Sequence, residues 1–332
     1  MVCRLADVLR LVFLVAGIGL FTLLVARLGP AAILEMLGRI GWHALPIAAL
    51  YTAFQATRAR ALQASVLEPR QIRWRDALWI RFSGEAVQFL TASGPFLAEP
   101  TKAWLLKRRG LTGVEGFAAT LTEYLIYMFV AALISVAAYG WLLADGVLAG
   151  ATRTFAIIVI VTAAAFLATA AFAITTRTHL LGAALERLTR LPGLRTRLRP
   201  DMAAVHRTED LLLAILHDRP ARLGGIALLA TASHLIHTVE LYWILTALDL
   251  PVGVGTAFLI EGATKFVGLA FFFIPGQIGA SEGVHALVFE VVGLPAAAGF
   301  TAPFVRRIRM VAVSGVGVFA MAKLTRGGRS RS

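Results

Sequence analysis

The sequence predicts an all-α polytopic membrane protein, built as an inverted repeat of helices with two re-entrant (broken) helical hairpins. Of its 332 residues, 58% are hydrophobic, whereas soluble domains are about 45–50% apolar. Long apolar segments alternate with short basic loops, which is typical of chains that cross the bilayer several times. Two apolar segments, at residues 91–102 and 271–285, are interrupted by proline and glycine beside a glutamate. Irregular backbone at membrane depth is tolerated only where it is buried in protein or lines a wet cavity.

Charge and cysteine content exclude several other classes. The net charge of +13 would suit a nucleic acid, but the basic residues lie beside apolar segments. We therefore expect no nucleic-acid partner and instead contact with anionic inner-leaflet lipids. The single cysteine, Cys3, allows neither a disulfide framework nor a thiolate metal cluster, and we expect no cofactor. No polar stretch is long enough for a separate catalytic domain, so residues 1–332 are predicted to form a single membrane domain.

The order of apolar segments and arginines predicts six full crossings. They lie at about residues 11–26, 42–66, 117–143, 154–174, 223–248 and 296–324. Residues 76–106 have basic flanks, and the flanks of residues 253–292 lack Lys and Arg. This pattern favours re-entrant hairpins that enter from the cytoplasm and from outside, respectively. An even number of crossings places both termini in the cytoplasm, with a basic cytoplasmic loop at about residues 175–222.

The two hairpins divide the chain into halves of opposite orientation. The halves are residues 42–143 and 223–324. In the first half 24 positions separate Glu99 from Glu123, and in the second half 24 separate Glu282 from Arg306. Inverted repeats whose broken elements meet near the midplane are typical of alternating-access transporters. An ionisable group inside such a segment is a functional-site hypothesis by default.

The first break contains Gly94, Pro95, Glu99, Pro100 and Lys102. Pro100 suits the first position of a helix, so we expect a helix from Pro100 whose N-terminal amides and positive dipole end attract a phosphate or carboxylate. Lys102 would add a point charge to this anion site. The alternative is that Glu99 only balances the dipole or pairs with Lys102, and the two interpretations are compatible.

The second break contains Pro275, Gly276, Gln277, Gly279 and Glu282. We expect the proline and the glycines to interrupt the helix and Glu282 to lie in the first turn of the helix that resumes. Gln277 would supply a neutral donor and acceptor. The two breaks together are predicted to form the substrate-binding region.

Three arginines, Arg306, Arg307 and Arg309, lie well inside the last predicted span. A charge at the bilayer centre costs about 2.5–3.5 kcal/mol on insertion scales, so these residues must meet carboxylates, water or lipid phosphate. We expect Glu123 and Glu282 to be their partners, and we count all five residues among the substrate-binding candidates.

Other charged residues are predicted to be structural. Arg58 lies toward the cytoplasmic end of the second span, where we expect its long side chain to reach the interface. Glu261 and Lys265, and likewise Arg81 and Glu85, are spaced i, i+4, which predicts neutralising ion pairs.

His234, His237 and Glu240 are candidate ligands for a metal ion or members of a proton relay. At intervals of three residues they fan over an arc of about 120° on a helix, and they lack the i, i+4 spacing of a helical zinc pair. We therefore favour interhelical hydrogen bonds and predict no metal site.

Both breaks resemble motifs of the lysylphosphatidylglycerol synthase transmembrane, or flippase-like, family. The first motif is a proline, a Gly-Glu pair and an arginine three residues on, and its places are taken here by Pro95, Ala98, Glu99 and Lys102. The second motif is Pro-Gly-Gly-x-Gly-x-x-Glu, matched by Pro275, Gly276, Gln277, Gly279 and Glu282. Alanine, lysine and glutamine thus replace a family glycine, arginine and glycine. The resemblance covers about residues 10–324, and residues 94–102 also resemble the branch associated with hopanoid biosynthesis.

This resemblance implies a bacterial inner-membrane lipid translocase, with a membrane lipid of polar or anionic head group as its substrate. No aminoacyl-transferase domain follows, so we expect no lipid aminoacylation by this chain, and we favour a transporter over an enzyme. Two alternatives stay open: a membrane-embedded enzyme acting on a lipid head group, and an ion-coupled small-solute transporter. The sequence leaves four points open: the lipid, the direction of transport, the coupling ion and whether the chain forms a homo-oligomer.

Overall fold

The computed structural model describes residues 31, 35, 38–91, 94–190, 201–250, 252–265, 277 and 279–326. Within these residues all regular structure is helical, with two short 3₁₀ turns, Gly41–His43 and Pro69–Gln71. The predicted first span at residues 11–26, and the break residues Pro275 and Gly276, lie outside the described residues.

Eleven α-helices follow one another in the described part of the chain. The first five are α1 (Ala44–Ser65), α2 (Trp74–Leu90), α3 (Pro95–Lys107), α4 (Gly113–Ala144) and α5 (Gly150–Thr176). The next two, α6 (Leu180–Thr189) and α7 (Met202–Leu216), are short and fall in the predicted basic loop. The last four are α8 (Pro220–Ala247), α9 (Val254–Thr264), α10 (Ala280–Val291) and α11 (Ala296–Arg326).

Local sequence signals set several helix starts. Thr112 and Glu115 form a capping box on α4: the amide of Glu115 donates to Thr112 Oγ1 at 3.2 Å, and the amide of Thr112 donates to Glu115 Oε2 at 2.8 Å. Asp201 caps α7 by accepting from the amide of Ala204 at 3.1 Å. These side chains satisfy amides that the first helical turn leaves without partners.

Within the described residues, three helices are long and apolar enough to cross a membrane. They are Gly113–Ala144, Gly150–Thr176 and Ala296–Thr325, and they coincide with three of the predicted spans. Helices α1 and α8, with 22 and 28 residues, have the length of about 20 residues that a crossing requires. Both carry buried polar side chains, which lowers their hydropathy. The chain is therefore an all-α, multi-pass membrane protein, and the re-entrant placement of α2–α3 and α9–α10 stays a prediction.

The helices of the two halves pack in matching pairs. Helix α1 packs against α8, its counterpart in the second half. Helix α2 packs against α11, and the matching pair, α9 with α4, is also in contact. The same holds for α3 with α4 and α10 with α11. Exchanging α1–α4 for α8–α11 therefore leaves this packing pattern unchanged, as expected for the predicted inverted repeat.

Two glycines mark equivalent close contacts in the halves. A Cβ at Gly116 on α4 would lie 2.8 Å from the carbonyl oxygen of Ala103 on α3, and a Cβ at Gly299 on α11 would lie 2.7 Å from Cα of Ala286 on α10. Gly299 follows Gly116 by 183 positions, and Ala286 follows Ala103 by the same interval. Glu282 and Arg306 follow Glu99 and Glu123 by the same interval, so the interval of 24 seen in the sequence reflects equivalent packing.

The largest apolar core lies where α1, α4, α8, α9, α10 and α11 meet. It includes Ile47, Tyr139, Ile244, Ile260, Phe289 and Ala302, one from each helix in that order. This core joins the two halves and fixes the distance between the charged residues described next.

Candidate functional site

Buried charged side chains from eight helices gather between the two halves. The first charge cluster comprises Arg58, Arg81, Glu85, Glu99, Lys102 and Glu123, all in the first half. The second charge cluster comprises Glu240, Glu261, Lys265, Glu282, Arg306, Arg307 and Arg309, all in the second half. Apolar helices bring these groups into the interior only because nearly every charge there meets an opposite one.

Glu123 on α4 lies at the centre of the first charge cluster and is fully buried. Its carboxylate pairs with Arg58 of α1. Arg81 Nη1 lies 3.8 Å from Glu123 Oε2, and Lys102 Nζ lies 3.6 Å from the same oxygen. One carboxylate thus ties together α1, α2, α3 and α4.

Lys102 on α3 also pairs with Glu99, whose Oε1 lies 2.7 Å from Lys102 Nζ. The structure therefore shows the ion pair that the sequence left open as an alternative. The stem of Lys102 runs across Gly84 on α2, where a Cβ would lie 2.8 Å from Lys102 Cδ. Gly84 is needed because a larger residue would occupy the path of the lysine.

The prediction that a helix starts at Pro100 is wrong. Helix α3 begins at Pro95, preceded by Gly94 with φ of +48°, and Pro100 lies inside the helix. The Gly-Pro pair is the stronger start signal, because glycine adopts positive φ without strain and proline suits the first helical position. Lys102 therefore lies about two turns from the helix start, where the dipole argument for an anion at Glu99 and Lys102 loses its basis.

Glu261 on α9 is the corresponding centre of the second charge cluster. Arg306 Nη2 lies 2.9 Å from Glu261 Oε2, and Lys265 Nζ lies 2.5 Å from Glu261 Oε1. His237 Nδ1 lies 3.6 Å from the same Oε1. The predicted Glu261–Lys265 ion pair is present, and so is the Arg81–Glu85 pair, at 2.7 Å.

Glu240 on α8 receives two arginines of α11. Arg306 Nε lies 3.3 Å from Glu240 Oε2, and Arg309 pairs with Glu240 as well. Arg307 pairs with Glu282. The expectation that Glu282 would meet one of the three arginines is confirmed. The same expectation for Glu123 is wrong, because the arginines that it meets are Arg58 and Arg81.

Glu282 also closes the start of α10. The amide of Gly279 donates to Glu282 Oε2 at 2.9 Å, and Gly279 has φ of +81°. Gln277, just before it, is half-buried and has φ of +53°. Glu282 lies in the first turn of the helix, as the sequence predicted, and its carboxylate both caps that turn and holds Arg307. The sequence also suggested Ser281 as the cap, but Ser281 lies inside the helix, after the N-cap residue Gly279.

The two charge clusters use equivalent positions with opposite signs. An ion pair joins the first and the last helix of each half. It is Arg58–Glu123 between α1 and α4, and Glu240–Arg306 between α8 and α11. The first arm of each predicted hairpin, α2 or α9, contacts the same residue of the last helix. In the first half Arg81 contacts Glu123, and in the second half Glu261 contacts Arg306. Within that arm the i, i+4 pair is Arg81–Glu85 in one half and Glu261–Lys265 in the other. The halves thus repeat one ion-pair geometry with cation and carboxylate exchanged.

Aromatic side chains connect the clusters across the interface of the halves. The Arg309 guanidinium lies 3.8 Å from the centroid of the Tyr51 ring, and the Tyr51 hydroxyl donates to Glu85 Oε2 at 3.3 Å. The ring of His237 stacks on Phe54 with a centroid distance of 4.0 Å. Charged groups of both halves therefore belong to one connected network.

This network carries an excess of one positive charge when the histidines are neutral. Its described members are seven Arg or Lys residues and six Glu residues. The side chains of Arg306, Arg307 and Arg309 are 16%, 18% and 10% exposed, against 5% for Arg58 and 1% for Lys102. Arg306, Arg307 and Arg309 are therefore the most accessible cations of the network, and arginine is suited to binding an anionic group.

The histidine group does not converge on one point. His234 Nε2 lies 3.1 Å from the carbonyl oxygen of Tyr127, His237 faces Glu261, and Glu240 receives the arginines. Among the described residues, no three His, Cys, Asp or Glu side chains are arranged to hold a metal ion. These residues make the interhelical contacts that their spacing favoured.

Sequence reasoning missed the role of Arg58 and the contact of Arg81 with Glu123. The prediction that Arg58 reaches the interface is wrong, because its side chain is buried against Glu123, with the guanidinium 3.5 Å from the centroid of the Tyr127 ring. Hydropathy ranks an arginine near a helix end as interfacial, and the partner lies 65 positions away. The one available signal was a glutamate, Glu123, inside an otherwise apolar span.

The sequence model of the family described as "Lysylphosphatidylglycerol synthase TM region" matches residues 8–317. Neither a curated protein nor a solved structure matches the chain. The family match covers both charge clusters and both breaks, and it links this membrane protein to the handling of lipid head groups. The chain therefore belongs to the lysylphosphatidylglycerol synthase transmembrane family.

Proposed function

We propose that the protein is a lipid translocase of the bacterial inner membrane, with both termini in the cytoplasm. It would move a lipid with a polar or anionic head group between the leaflets. The observation that carries the proposal is the buried network of ion pairs between the two halves, with its excess of one positive charge. The family's link to lipid head groups supports a lipid as the transported molecule, and a hopanoid-related lipid remains one candidate.

The second charge cluster is the proposed head-group site. A phosphate diester carries one negative charge, which would balance the excess of the network. It would take the place of Glu282 on Arg307, since arginine binds carboxylate and phosphate in the same way. Arg306 and Arg309 lie one turn or less away on α11 and would add to the attraction.

The first charge cluster has a different proposed role. Its three cations and three carboxylates balance, and Glu99, Lys102 and Glu123 hold one another in the interior. We assign these residues to charge balance during transport rather than to direct contact with the head group. Rocking of one half against the other would then expose the site to each leaflet in turn.

A transporter is proposed rather than an enzyme. His234, His237 and Glu240 point to three different partners, which weakens the case for a metal-dependent reaction on the head group. Transport of a small solute by the same repeat is the remaining alternative, and a lipid assay separates the two.

The test uses purified protein in liposomes that contain a fluorescent phosphatidylglycerol, with a membrane-impermeant quencher added outside. We expect label from the inner leaflet to become accessible faster than in protein-free liposomes. Glu282→Gln should slow the movement of lipid between the leaflets about tenfold, which corresponds to an increase of about 1.4 kcal/mol in the activation barrier. Glu99→Gln should slow the same movement as well. Glu186→Gln, on the exposed face of α6, is the matched control. If no lipid crosses faster than without protein, the proposal fails.

A further inference from the structure

A separate apolar cavity lies between α4 of the first half, α8 of the second half and the helices that connect the halves. Its volume is about 440 Å³, it is partly open, and it is lined by α4, α5, α7 and α8 together with the start of α6. Each of the four longer helices contributes apolar side chains to the lining, for example Ile126 of α4, Phe166 of α5, Leu213 of α7 and Leu223 of α8. Its size lies within the range of about 300–1,000 Å³ that is usual for small-molecule sites.

The lining offers almost no polar groups to an occupant. Glu209 reaches the wall, but its Oε1 accepts from the amide of Leu181 at 2.6 Å and its Oε2 from the amide of Gly182 at 3.0 Å. Its carboxylate therefore caps the start of α6. A buried water needs two to four polar partners, so the cavity is suited to an apolar occupant.

The position of the cavity beside α5 indicates which apolar molecule can enter it. Helix α5 forms one wall and is a candidate membrane span of which only 6% of the apolar stretch is buried inside the chain. Its other faces therefore contact lipid hydrocarbon. From the apolar lining, the volume and this position, we propose that the cavity is a binding site for one acyl chain of a membrane phospholipid.

The cavity also lies close to the charge network. Ile126 follows Glu123 by three residues on α4, so the two side chains occupy neighbouring faces of the same helix. Glu123 belongs to the first charge cluster, whereas Ile126 contributes to the cavity. The acyl-chain site does not depend on the proposed translocation, because a lipid bound there can be structural or transported.

Photolabelling tests this site directly. The full-length protein is reconstituted in nanodiscs of phosphatidylcholine that carry a diazirine on one acyl chain, irradiated, digested and mapped by mass spectrometry. We expect labelled residues in α7, such as Leu212 and Leu213, which the cavity contains but which lie away from the exposed faces of α5. Labelling only at exposed residues of α5, such as Val161, would overturn the proposal.

A matched pair of alanines on α5 provides the control. Ala170 lines the cavity, and its neighbour Ala171 is exposed. Ala170→Phe should fill the cavity and lower labelling of α7 about tenfold, through loss of the buried methylene contacts, while Ala171→Phe leaves it unchanged. Ala227→Leu fills the cavity from α8 and serves as a second variant if Ala170→Phe unfolds. Equal labelling of α7 in the filled and control variants would show that the acyl chain binds elsewhere and would overturn the proposal.

Discussion

Replacing Glu123 by glutamine should destabilise the protein strongly, because it removes the carboxylate at the centre of the first charge cluster. Arg81 would keep Glu85 at 2.7 Å, and Lys102 would keep Glu99 at 2.7 Å. Arg58 would keep no carboxylate within 4 Å among the described residues. One buried cation without compensation costs about 3–5 kcal/mol, and we expect Glu123→Gln to lower the free energy of unfolding by that amount.

A double-mutant cycle in detergent micelles measures this effect. Unfolding by denaturant is recorded for the wild type, Glu123→Gln, Arg58→Gln and the double variant. The double variant should be more stable than the sum of the single changes predicts, with a coupling energy of about 1–3 kcal/mol. Glu186→Gln on α6 breaks an exposed pair with Arg190 and should cost about 0–1 kcal/mol. A loss for Glu123→Gln as small as that of Glu186→Gln would refute the burial of the network.

Two further predictions concern the helix contacts. Gly299→Ala should destabilise the fold by about 1–3 kcal/mol, because the added Cβ would lie 2.7 Å from Cα of Ala286. Gly315→Ala on the same helix meets nothing within 4 Å and should be neutral or stabilising by up to about 1 kcal/mol, so equal losses in thermal unfolding would contradict the packing. Thr112→Ala should cost about 0.5–2 kcal/mol through loss of the cap on α4. An unchanged midpoint would show that this cap contributes nothing.

Hydropathy and charge were sufficient to predict the class of the fold. Helices α4, α5 and α11 follow from long apolar segments with few charges, since such segments are stable only in hydrocarbon or in a core. The start of α3 was misplaced because the sequence contains two prolines, Pro95 and Pro100, that each suit a first helical turn. Only the backbone at Gly94, with its positive φ, decides between them.

The pairing of the buried charges could not be predicted, because it depends on how the helices pack. Arg58 and Glu123 face each other only after α1 and α4 have come together. The relation between the halves was hidden for a related reason. Arg58 corresponds to Glu240, and Glu123 to Arg306, so a comparison by residue type counts each equivalent position as a mismatch. The sequence retained only the common interval and the parity of the crossings.

Preference for head-group charge tests the central claim most directly. In liposomes, the wild type should move a fluorescent lipid with one negative charge, phosphatidylglycerol, faster than the zwitterionic phosphatidylcholine. Arg309→Gln should abolish that preference by removing the excess positive charge of the network, while Arg190→Gln, at an exposed position just after α6, should preserve it. Equal rates for the two lipids in the wild type, or an unchanged preference in Arg309→Gln, would contradict the account.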